Sequence, residues 1–93
     1  MLEREVESSL VSDVNNAGGK ALKWSSPGLS GVPDRIVLMP IPEHHRELVA
    51  KYVKFVELKA PGEKPRPLQD RVCGWIRDMG FSVQVVDKKR SKL

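Results

Sequence analysis

Two spacings of apolar residues, helical and alternating, divide this chain into elements. Between Glu3 and Ala17, Val6, Leu10, Val11 and Val14 recur at three- and four-residue intervals, and Gly18-Gly19 follows as a stop. Lys20 to Trp24 reads as a short strand closed by the turn residues Ser25-Ser26-Pro27-Gly28. The loop Ser30-Gly31-Val32-Pro33 leads into Asp34 to Met39, a β-prone run that Pro40 and Pro42 end, since proline cannot continue a central strand. Residues 43–50 are polar and are expected to form the tip of a long hairpin. Tyr52 to Lys59 has the strongest strand pattern: Val53, Phe55, Glu57 and Lys59 point to one face, and Tyr52, Lys54, Val56 and Leu58 to the other. Apolar residues on both faces predict a central, covered strand.

After a loop with three prolines, Pro67 suits the first turn of a helix running to about Met79, with Leu68, Val72, Trp75, Ile76 and Met79 on its inner stripe. Gly80 stops it, Phe81 to Val86 forms a last strand, and a basic tail begins at about residue 88. The order αβββαβ predicts a single α/β domain over residues 1–93, a sheet flanked by helices. A chain this short buries only roughly 60–65% of its unfolded surface, so a partner subunit would help it.

Charge narrows the partners. Sixteen Lys and Arg against twelve Asp and Glu leave a net charge of +4, which favours an anionic partner. Cys73 is the single cysteine, so no intrachain disulfide forms and a multi-cysteine zinc site is excluded; it reads as a small buried hydrophobe in a helix. The N-terminus is charged from its third residue and no apolar run approaches a membrane span, so a soluble, cytoplasmic protein is expected.

Candidate chemistry lies at two strand ends. If the strand beginning at Asp34 pairs as a hairpin with the strand ending at Lys59, the start of the first lies beside the end of the second, and Asp34 approaches Glu57. Glu57 and Lys59 share a face, so both reach one point. Converging carboxylates repel and lose hydration, which a cation relieves; hard oxygens suit Mg²⁺. Such a site polarises a phosphoryl oxygen and acidifies a bound water. Lys59 adds a compact cation in an electrostatic role. Each motif alone is commonly structural, since Glu-x-Lys is frequent on strands and Asp is a frequent turn residue. A charged pair ending an otherwise apolar strand, with an Asp opening its neighbour, favours function.

Gly31-Val32-Pro33-Asp34, Phe55-Val56-Glu57-Leu58-Lys59 and Pro67-Leu68-Gln69 resemble the PD-(D/E)xK nuclease superfamily. The ordered set of elements, from a Glu-bearing first helix through Ser26-Pro27-Gly28 to Gly80-Phe81 and the last strand, is more closely similar to stand-alone virus-type replication-repair nuclease (VRR-NUC) domains of phages and bacteria. The resemblance implies a restriction-endonuclease-like mixed sheet and a DNA endonuclease dependent on Mg²⁺, with Mn²⁺ as substitute. It implies metal held by Asp34, Glu57 and the Leu58 carbonyl, catalysis by Lys59, and Gln69 at the site edge. It also implies a helix glutamate at the metal or its waters. Glu7 is the first choice and Glu3, on the same helix face, the alternative; an acidic first turn favoured by the helix dipole is the plain reading of both. A homodimer acting on branched DNA, such as a Holliday junction, in a bacterial cell follows from the same resemblance, with no small-molecule cofactor and no membrane. The segment from Pro40 to Lys51 is longer than that pattern expects.

Lys20, Lys23, Arg35, Lys64 and Arg66 are candidate phosphate contacts, Arg35 foremost because it adjoins Asp34; the tail lysines and arginine could join them. His44-His45 lacks a third ligand, and the prolines at 61, 65 and 67 stiffen a loop. Trp24 and Trp75 suit core or dimer anchors more than base-stacking platforms. The competing functions are a non-catalytic nucleic-acid-binding module and a subunit of a larger repair or packaging machine.

Overall fold

A computed structural model of the chain describes residues 1–88; the basic tail from 89 lies outside them. The architecture is mixed α/β, with two small sheets and three α-helices in two compact units, one of Met1–Pro40 and one from Ile41 onward. None of these helices is long and apolar enough to cross a membrane.

In the first unit, α1 (Glu3–Asn16) buries Val14 and is followed by the hairpin β1 (Lys20–Lys23) and β2 (Arg35–Leu38). The strands are antiparallel, with Lys20 opposite Leu38 and Lys23 opposite Arg35. Gly18 has φ +85°, a conformation that lets the chain turn sharply out of α1. Gly19 is buried, and a side chain there would meet the Leu38 carbonyl oxygen, the Met39 sulfur and Val14. The double glycine therefore ends the helix and lets β1 lie close to the end of β2.

The second unit opens with a 3₁₀ turn, Glu43–His45, which runs directly into α2 (Arg46–Ala50). Then come β3 (Lys54–Leu58), α3 (Pro67–Asp78) and β4 (Ser82–Val86). β3 and β4 are parallel, Lys54 opposite Ser82 and Leu58 opposite Val86, so α3 is the crossover that a parallel pair requires. Ile76 and Met79 are buried, and Phe55 meets Phe81 edge to face at 5.7 Å. The Met79 carbonyl accepts from the Ile41 N–H at 2.8 Å, and Arg46 donates to the Ile41 carbonyl at 3.0 Å, fixing the connection to the end of α3.

All six anticipated elements form, but three expectations change. Residues 43–50 are helical rather than a hairpin tip: Glu43, His44 and His45 have no alternating apolar face to pair as strand, and the local i→i+3 bond from the His45 N–H to the Pro42 carbonyl begins a turn instead. The expected single sheet is two, because β2 takes β1 as its partner and β3 takes β4; no β2–β3 hairpin is among the described ladders. β3 is consequently not a covered central strand, and Leu58 is 72% exposed.

Candidate active site

The second unit carries the charged end of β3. Alternation puts Glu57 and Lys59 on the same side, and the Lys59 Nζ lies 3.3 Å from Glu57 Oε1. The Lys59 side chain is only 13% exposed, so it is partly withdrawn from open water. Its backbone N–H donates to the Val86 carbonyl at 3.0 Å, extending the parallel ladder and fixing where the side chain starts.

Gln69 completes this cluster from α3. Its Oε1 accepts the Arg66 N–H at 2.9 Å, capping a helix donor that has no intrahelical partner. That bond fixes the amide orientation and leaves Nε2 to donate to Glu57 Oε1, also at 2.9 Å. Gln69 thus acts on Glu57, not on the lysine. Around the pair, Phe55, Leu68, Val72, Cys73 and Ile76 line an apolar hollow. Cys73, expected to be buried, is half-buried there.

The first unit holds the other candidates. Arg35 Nε lies 3.2 Å from Glu7 Oε2, and Arg35 Nη1 donates to the Ala21 carbonyl at 2.9 Å. The Arg35 guanidinium, through its hydrogen bond and its charge, holds the Glu7 carboxyl below the usual carboxylate range; burial opposes the shift and Lys23 adds to it. Glu3, Glu7, Asp34 and Arg35 border one hollow beside Val6 and Leu10, so both helix glutamates stay in view. Asp34 is exposed and its carboxylate makes no hydrogen bond or ion pair among the described residues. Its carbonyl accepts from the Trp24 N–H at 3.0 Å.

Asp34 and Glu7 therefore belong to the first unit, and Glu57, Leu58, Lys59 and Gln69 to the second. Among the described residues no three His, Cys, Asp or Glu side chains cluster to hold a metal. Each unit by itself presents hard oxygen donors of the kind Mg²⁺ takes: Glu7 Oε1 and the Asp34 carboxylate in the first, Glu57 Oε2 in the second. Of the proposed phosphate contacts, Arg35 is engaged by Glu7, while Lys23, Lys64 and Arg66 are exposed. The Arg35–Glu7 pair was invisible to periodicity, because no local pattern links residues 28 apart.

The chain is 42% identical over 87 residues to a protein named "Putative nuclease p44" of Acyrthosiphon pisum secondary endosymbiont phage 1. The match covers 94% of this chain and 84% of that one. Identity of this extent shows common descent within a class of nucleases by name. The chain belongs to the p44 nuclease family. No family model matches the chain. No solved structure matches it either.

Proposed function

We propose that the chain is a Mg²⁺-dependent endodeoxyribonuclease of the VRR-NUC type, restriction-endonuclease-like in fold, hydrolysing phosphodiester bonds in branched DNA as a homodimer. The observation that carries the reading is the cluster at the end of β3, where Gln69 and Lys59 both hold Glu57 Oε1 in a chain of the p44 family. Structural salt bridges rarely need a helix-capping amide to orient the acid; a working carboxylate does.

In this reading Asp34, Glu57, the Leu58 carbonyl and Glu7, with Glu3 as alternative, would hold the metal. When bound, the metal would polarise the phosphoryl oxygen and make a bound water more acidic. Gln69 orients Glu57 through a bond whose own direction the α3 N-terminus sets. Lys59, 3.3 Å from Glu57 Oε1, stabilises negative charge growing on the phosphoryl oxygens, where it is worth more than in open water. Lys20, Lys23, Lys64 and Arg66 would meet backbone phosphates, with Arg35 steadying Glu7.

The test uses labelled four-way junctions, forks, flaps and duplexes, with Mg²⁺ or with EDTA. Cleavage should require Mg²⁺ and favour branched DNA. Asp34→Ala and Lys59→Ala should each lower cleavage by about a hundredfold or more, with binding by fluorescence anisotropy retained. Unchanged cleavage in both variants would sink the assignment. Glu7→Ala should lose more activity than Glu3→Ala; the reverse transfers the role to Glu3.

A further inference from the structure

The register of the β1–β2 hairpin places an exposed aromatic residue directly opposite Asp34. Lys23 pairs with Arg35, and the Trp24 N–H bond to the Asp34 carbonyl carries the ladder one step further. Trp24 and Asp34 are thus cross-strand neighbours, and alternation sends their side chains to one face of the hairpin. Residues joined by such a cross-strand N–H bond have Cα atoms about 5.5 Å apart. Successive nucleotides rise about 3.4 Å along a strand of DNA, so the pair spans one to two nucleotides.

Trp24 remains 40% exposed, unlike a core anchor, and Gly28 and Gly31 in the loop after it are exposed, with open space where a side chain would stand. Lys23, the residue before it, is exposed and adds positive charge to the hairpin. An exposed indole beside a carboxylate proposed to act on a phosphodiester has the composition of a single-strand nucleic-acid platform: cation for the backbone, π-face for the base.

We propose that Trp24 stacks on an unpaired nucleobase next to the bond that is cut, and so selects DNA whose bases are not all paired. The proposal rests on the nuclease reading of Asp34. A duplex keeps both faces of each internal base occupied, whereas a fork or junction end offers a free face. Trp24 is a specificity residue in this scheme and moves no proton.

The test measures binding in EDTA, so that cleavage does not intervene, with an unpaired oligonucleotide, a fork and a blunt duplex of the same length. Trp24→Ala should weaken binding to the oligonucleotide and fork roughly five- to hundredfold and leave duplex binding within about twofold; Trp24→Phe should retain most of the affinity. Because Trp24→Ala could fail to fold, the Trp75→Phe protein supplies a second readout, in which the remaining Trp24 fluorescence should be quenched by the oligonucleotide and not by the duplex. Equal losses on all three probes, or no quenching at saturation, overturn the proposal. So does a change in oligomeric state with DNA binding intact, which makes Trp24 a subunit anchor. If the wild-type protein cleaves every probe in Mg²⁺ while Trp24→Ala behaves identically, only this inference fails. If Asp34→Ala leaves cleavage intact, the nuclease reading fails with it.

Discussion

Glu7 and Arg35 lie 28 residues apart in sequence, yet their charged contact ties α1 to the start of β2. Arg35 also donates to Ala21 in β1, so one guanidinium links helix and both strands of the hairpin. The pair has a pH signature. Glu7 is depressed in the folded protein, so the stability it contributes is present above its unfolded pKa and disappears as pH falls through its lower folded value. Wild-type and Glu7→Gln proteins should therefore differ by a constant unfolding free energy near neutral pH, and the difference should shrink as pH falls through the unfolded and then the lower folded pKa of Glu7. Urea unfolding at a series of pH values measures it; a gap that persists undiminished in strong acid contradicts the pairing. The sequence had assigned Arg35 to DNA and Glu7 to metal as separate roles. Their meeting was not legible, because side-chain contacts across such a separation depend on how the helix lies against the hairpin.

At the element scale, local chemistry was read well. The helix ending at Gly18-Gly19, the helix opening at Pro67 and the strand alternation through Glu57 and Lys59 all formed near their expected places. Each depends on backbone conformation or spacing within a few residues. Gly19 shows what that reading omits: its second requirement is space for the Leu38 carbonyl, which arrives from the partner strand. Gly19→Ala should cost about 1–3 kcal/mol, because the obstruction is backbone rather than a yielding side-chain end. The midpoint of urea unfolding reports it, and a variant as stable as wild type would show that β1 and β2 separate freely. Residues 43–50 depart from the expected hairpin tip for the converse reason. Their polarity suggested an exposed tip, but a polar stretch with Leu48 and Val49 can also coil into a short helix, and nearby anchoring at Ile41 and Arg46 favours it.

At the scale of the whole molecule, the buried apolar side chains among the described residues are Val14, Leu38, Ile76 and Met79, and each keeps a few per cent of its surface exposed. Val56, Leu58, Leu68 and Trp75 stay exposed in the second unit. Apolar surface of this kind, on a chain this small, accords with the proposed homodimer. Light scattering at micromolar concentration should return twice the mass of one chain; a monomer would remove the dimer while leaving the chemistry of Glu57 and Lys59 untouched. By itself the sequence determined six of the elements in their order, though not α2, together with the shared face of Glu57 and Lys59 and the likeness of its motifs to nucleases, since all are properties of short segments or their succession. Only the tertiary structure decided that β2 pairs with β1 and β3 with β4, that Gln69 holds Glu57, that Arg35 holds Glu7, and that the Trp24 N–H meets the Asp34 carbonyl. Backbone hydrogen bonds are the same for every pair of strands, so a strand's alternation specifies its faces but not its partner; that choice belongs to packing and chain connection, which act over the whole fold.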